Sequence, residues 1–156
     1  MDYSIGAAIG AGLIATAIMT ALLYMGRAMM PKQMTMDILY MLGSMMTPSK
    51  MPAYAIGAMV HVGMGIVWAI IHTAIYNAFG LESALAAWGI LFGAVHWVAV
   101  GMGMGMVGMM HPLMKKGELA DPGMFVKNSP MMTRVGFFML HLQFGLIVGV
   151  FYSVFT

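Results

Sequence analysis

The chain has 156 residues, 62% of them apolar and 8% charged, with a formal net charge of +2 at pH 7 and no cysteine. A chain of this composition can bury a core only if lipid supplies part of its solvent, which excludes a soluble or disordered protein and predicts a single all-α integral membrane domain over residues 1–156. The missing thiols exclude disulfides, thiolate metal sites and thiol catalysis, and the seven Lys and Arg are spread over two short segments without aromatic interleaving, which excludes a nucleic-acid surface.

In chain order, the first uncharged stretch exceeds the ~20 residues at ~1.5 Å rise that cross hydrocarbon and predicts a span over about 3–26. It is too long, and lacks the charged start, for a cleavable signal peptide, so it reads as a retained span. Gly6, Gly10, Thr16 and Thr20 form a row of small residues on it, the pattern that lets helix backbones approach closely. Pro31 ends this helix and Pro48 precedes the next; between them Asp37 to Met46 predicts a short interfacial helix, with Tyr40 among the headgroups. Pro52 suits the first turn of a second span over about 52–79, and Asn77 to Ser83 forms a tight turn into a third span over about 84–110. Within the third span the run Gly-Met-Gly-Met-Gly-Met alternates like a strand, but an open strand in lipid leaves its backbone unpaired, so a helix is expected, with Gly89, Gly93, Gly101 and Gly105 on one helix-contacting face. The span stops at His111-Pro112, and a loop with Asp-Pro-Gly and Ser-Pro signals leads to a fourth span over about 132–155.

Six of the seven cations lie between the first and second or the third and fourth spans and the seventh, Arg134, in the first turn of the fourth, hence all on one membrane face, while the other face carries only Asp2 and Glu82. Cations flanking spans stay in the cytoplasm, so the expected location is a bacterial inner membrane with both termini outside.

An internal repeat relates the second and fourth spans: MVHVGMGIVWAII from Met59 aligns with MLHLQFGLIVGVF from Met139 at an offset of 80 residues. Two-helix halves have equal orientation, so the expected architecture is a four-helix bundle with a pseudo-twofold axis along the membrane normal, plus the interfacial helix. The repeat makes His61 and His141 equivalent, each on a row of small or apolar residues, and the twofold would bring them together about 14–16 Å in from the cytoplasmic helix starts. His96 lies near mid-membrane, His72 nearer the outer face, and His111 at the cytoplasmic end. His72 and His96 are expected ~9 Å apart in depth, which disfavours two haems.

Intramembrane histidines point to a use. Four uses are open, one of them a proton or solute path. Paired His61 and His141 suit the axial ligands of a haem b, with Gly65 and Gly145 leaving room for the macrocycle. His61, His141 and His96 as a third ligand also suit a metal ion such as copper. Alternatively, neutral imidazoles hydrogen-bond to one another, to Gln143 or to a backbone carbonyl and fix helix register. The 23 Met include rows spaced by four at Met25/Met29 and Met102/Met106/Met110, which suit Cu(I) or replace Leu as flexible filler. Met-x-x-x-Met beside Gly-x-x-x-Gly resembles the three-span copper transporter family, although four spans and cytoplasmic Met clusters depart from it. No acidic residue lies inside the spans, which disfavours a proton-coupled pump, and Asp37, Glu118 and Asp121 are expected as cytoplasmic surface charges.

Met30 to Leu42 (Met-Pro-x-x-x-x-x-Asp-Ile-Leu-x-Met-Leu), the His61 span with Gly65 and Trp68, Gly89/Gly93, and Met139 to Gly149 together resemble an uncharacterised family of small bacterial four-span membrane proteins. The resemblance implies the four-helix fold and no assigned activity, and the chain departs from the family pattern in its Met excess and in His96 and His111. The leading expectation is a non-catalytic membrane protein that binds a metal ion or haem in the bundle, in copper handling or electron transfer. The alternatives are an accessory subunit or homo-oligomer within a larger membrane complex, and a channel or carrier for a small solute.

Overall fold

The computed structural model describes residues 3–156, so the expected outer-face charge at Asp2 lies outside the described residues. Four helices are long and apolar enough to cross a membrane: α1 (Ile5–Met29), α3 (Lys50–Ala78), α4 (Leu85–Met110) and α6 (Met131–Phe155). The short α2 (Ile38–Gly43) and α5 (Pro112–Lys115) lie in the connections, with a single 3₁₀ turn at Met124–Val126. No strand occurs among the described residues, and the Gly-Met run is helical, as the demand for internally paired backbone requires.

The boundaries follow local chemistry. Ser4 caps α1 by accepting from the Ala7 N–H at 3.2 Å, and the helix stops at Met29, ahead of Pro31. Asp37 caps α2 through the Tyr40 N–H, and α2 runs six residues rather than the ten expected because Gly43 and the following turn end it. His111 closes α4, and its ring caps α5 by accepting from the Leu113 N–H, with Pro112 in the first helical position. Ala84 enters α4 with φ of 55°, and Phe125 and Val126 hold φ of 53° and 51° in the 3₁₀ turn, left-handed conformations that disfavour a β-branched residue such as Val126.

Packing joins α1 to α3, α1 to α6 and α4 to α6, while α3 and α4 touch only sparingly. On α1 the close-packing face is Ala8, Ala11, Gly12, Ala15 and Thr16, so of the expected row Thr16 takes part but Gly6 does not: Gly6 has open space around it, whereas a Cβ on Gly12 would sit 2.8 Å from that of Ala69. Alanine serves backbone approach nearly as well as glycine, so the deciding factor is which row faces α3 and α6. The α4–α6 crossing is tighter, since a Cβ on Gly89 or Gly145 would overlap the other's carbonyl oxygen. The expected glycine face of α4 is split. Gly89 and Gly93 receive α6, but Gly101 and Gly105 receive Phe125 and Met124 of the 115–130 connection, which folds back along the helix. The α2 helix is seated on α3 through mutual glycine contacts, Gly43 against Ala53 and Gly57 against Leu39.

Candidate functional site

Three helices carry the same four-residue stripe at spacings of i, i+4, i+7 and i+11: His61, Gly65, Trp68, His72 on α3; Phe92, His96, Ala99, Gly103 on α4; Phe137, His141, Phe144, Val148 on α6. Residues at these spacings share one helix face. In the bundle most of these rings form a continuous aromatic cluster. Trp68 stacks on His96 with centroids 3.9 Å apart and planes at 22°, and His96 meets the edges of His72 at 5.6 Å and His141 at 4.8 Å. Phe144 packs against His72 and His96, and Phe92 against His72.

Beside this cluster, toward the end of the bundle covered by α2, lies a central cavity of about 330 Å³. His61, His96, His141 and Trp68 line it, with Met104 from α4 and Met41 from α2. Its walls are almost wholly apolar. The hydroxyls of Thr16 and Thr133 reach it, but both donate to backbone carbonyls, of Gly12 at 2.7 Å and Gln33 at 2.6 Å, so the imidazoles supply most of its free hydrogen-bonding capacity.

The five histidines differ in how they are satisfied. His111 is fully engaged: Leu113 N–H donates to Nδ1, which leaves the proton on Nε2, and that N–H reaches the Met41 carbonyl at 3.0 Å and the Ser44 hydroxyl at 3.2 Å. It ties α4 and α5 to α2 and has a structural explanation. His141 donates from Nδ1 to the Phe137 carbonyl at 2.6 Å, so Nε2 of the uncharged ring holds a lone pair. This is the backbone-carbonyl bond anticipated as one structural use of the histidines. The other three rings leave buried nitrogens without a partner: Nε2 of His61, both nitrogens of His72, and Nδ1 of His96. The Gln143 amide is also buried without a partner, so it satisfies none of them. Each such group costs about 1–3 kcal/mol if nothing pairs with it.

The expected pairing of His61 with His141 changes. Both line the cavity, but the imidazole in ring contact with His141 is His96, and His72 joins His96 despite the ~9 Å of depth counted between them along ideal parallel helices. Side chains tilt toward the N-terminus of their own helix, so on the antiparallel α3 and α4 the two rings tilt toward each other and close that interval. Gly65 and Gly145 do not open a space for a macrocycle: the first abuts the Thr16 side chain and the second the Gly89 carbonyl, both in helix crossings, and Gly145 is not part of the cavity wall. Among the described residues, no group of three or more His, Asp or Glu converges in a way that could hold a metal ion. The methionine rows Met25/Met29 and Met102/Met106/Met110 lie on the outside of the bundle, away from the histidines.

Sequence reasoning missed Asp37 as a structural centre. Its side chain is only 18% exposed and accepts from the hydroxyls of Tyr24 at 2.5 Å and Tyr54 at 2.6 Å, from the Tyr40 N–H at 3.2 Å, and from Arg27 at 2.8 Å. Partial burial alone would raise its pKa, but the hydrogen bonds from Tyr24, Tyr54 and Arg27 outweigh burial and hold the carboxyl below its ordinary range. This clasp fixes α2 against α1 and α3, and the residues around it, Met36, Ile38, Met41 and Leu42, floor the cavity. The available signal was the conjunction of an N-cap Asp with Arg27 and two tyrosines near the same interface. Compared with protein-family models, curated proteins and solved structures, the chain matches none.

Proposed function

We propose that the protein is an integral membrane binding protein that holds a small, predominantly apolar ligand in the central cavity against His61, His96 and His141. One observation carries the proposal: His61, His96 and His141 line an almost wholly apolar cavity of about 330 Å³, within the range typical of small-molecule sites, and Nε2 of His141 keeps a free lone pair. A ligand with one or two polar atoms would pair with the rings and fill the apolar remainder, which favours binding over a purely packing role. The reading includes no catalytic activity, an inner-membrane location with both termini outside, and a bundle of two related hairpins, α1–α3 and α4–α6. The small-residue crossing within each hairpin supports the relationship, and the unequal α1–α6 and α3–α4 seams mark where the halves have diverged.

A soft metal ion is the second reading. Its support is the His141 Nδ1–H bond to a carbonyl, the device that orients imidazole ligands, together with the Met64 and Met104 thioethers on the same cavity wall. Haem between His61 and His141 is less well supported, because Gly65 and Gly145 lie in closed helix crossings and open no space for a macrocycle.

The test is native mass spectrometry of the protein purified in mild detergent, with solvent extraction, an absorption spectrum and elemental analysis. Near-stoichiometric extractable organic ligand, lost in His96→Ala and His141→Ala, is the expected result. Stoichiometric copper or a Soret band would transfer the site to the metal or haem reading. A protein free of all three would overturn binding in favour of an accessory or structural component of a larger complex.

A further inference from the structure

The four seams of the bundle are not closed in the same way. The α1–α3 seam is sealed where Gly12 and Thr16 meet Gly65 and Ala69, and the α4–α6 seam where Gly89 and Gly93 meet Gly145 and His141. The α1–α6 seam packs along much of its length, with the Tyr152 hydroxyl accepting from the Ser4 N–H at 3.1 Å. Between α3 and α4 the backbones scarcely approach, and the Trp68–His96 stack bridges them.

Toward α2 from that stack, the same seam is lined by residues that belong both to the cavity and to the outer surface. Met64 of α3 is 38% exposed, Ala99 and Gly103 of α4 are exposed, and all three line the cavity. A Cβ added to Gly103 would meet nothing within 4 Å. The cavity therefore has a side opening framed by α3 and α4, with the Trp68–His96 stack at one end. It lies between two helices long and apolar enough to cross a membrane, away from their ends, so hydrocarbon is the medium it meets.

Resting on the binding reading above, we infer that the ligand is a lipid-soluble hydroxyl compound that reaches the cavity from the bilayer through the α3–α4 opening, its hydroxyl donated to Nε2 of His141. Three observations converge on this class. The opening faces lipid and not water. The walls offer almost nothing to a polar or ionic solute. The Nδ1–H bond to Phe137 leaves His141 with a lone pair, which complements a donor.

The chain has no native cysteine, so the opening can be stapled at a chosen pair. In a Trp88→Phe, Trp97→Phe background, in which Trp68 is the remaining tryptophan, Met64→Cys and Gly103→Cys are introduced and bridged by a short thiol-cleavable linker in liposomes. Stopped-flow mixing with 4-bromophenol reads Trp68 quenching, and brominated phospholipid sets the level due to lipid contact alone. The unstapled protein is expected to show quenching beyond that level. Stapling should slow it at least tenfold, and reduction of the same sample should restore the rate, which separates closure from misfolding. Bromobenzene at equal membrane concentration should require at least tenfold more for half-saturation.

Quenching at an unchanged rate in the stapled protein overturns the route while leaving the cavity as a binding site. Failure of the linker to bridge the pair overturns the shared opening. Equal half-saturation by bromobenzene overturns the hydroxyl class. No quenching beyond the lipid level in the unstapled protein overturns the binding reading itself.

Discussion

Replacing Asp37 by Asn tests how α2 is held and, through it, how the cavity is floored. The wild-type carboxylate accepts from two tyrosine hydroxyls and one backbone N–H and pairs with Arg27. Asparagine keeps one acceptor oxygen and the shape, but its NH₂ cannot accept, so the charge pairing and at least one phenol bond are lost. Hydrogen bonds to a charged group contribute about 1.5–3 kcal/mol, whereas an exposed ion pair contributes about 0–1 kcal/mol. With Asp37 and Arg27 side chains 18% and 26% exposed, the pair is largely but not fully shielded, which places the total loss near ~2–3 kcal/mol. Equilibrium unfolding in mixed detergent micelles, followed by tryptophan fluorescence, measures it. The pH dependence has a definite sign. Because the folded-state pKa of Asp37 is lowered, its contribution is present above the ordinary carboxylate range near ~4 and is lost as pH falls through the lower folded value, and Asp37→Asn should lack that acid-side loss. A variant within ~0.5 kcal/mol of wild type at neutral pH, with the same acid limb, would refute the clasp.

Further outcomes follow from the packing and from the histidines. Gly145→Val places a Cβ on the Gly89 carbonyl and should prevent stable folding, whereas Gly63→Ala, in open space on α3, should be neutral or stabilise by up to ~1 kcal/mol; thermal melts of the two in detergent test this. His111→Ala removes the bridge from α4 to Met41, Ser44 and Leu113 and should cost about 2 kcal/mol without loss of bound ligand per folded molecule, read by unfolding and native mass spectrometry together. His72→Phe replaces two unpartnered nitrogens by an apolar ring among Trp68, Phe92 and Phe144, so the ligand-free protein should be as stable as wild type or more so; a loss above ~2 kcal/mol would mean that a bound water or partner engages His72.

The four long apolar helices and the short α2 were legible because long uncharged stretches, Pro31, Pro48 and His111-Pro112 act locally, and the described helices start and stop within a few residues of those signals. The partners of each small-residue row were less legible, because Gly6, Gly10, Ala8, Ala11 and Ala15 offer several equivalent faces, and the choice depends on where α3 and α6 lie. The same limit governed the histidines. The repeat directed attention to His61 and His141 by equivalence, and counting depth along ideal helices separated His72 from His96, whereas the shared i, i+4, i+7, i+11 stripes of α3, α4 and α6 pointed to the cluster that forms. A repeat read in the sequence suggests which side chains correspond, not which ones touch, because contact depends on how closely each pair of helices packs. Here α1 and α6 close together while α3 and α4 stay apart, and Trp68 and His96 stack across the wider seam. The cavity lies where the α3 and α4 backbones stay apart, so a variant that closed them as tightly as α4 and α6 should gain packing and lose that space.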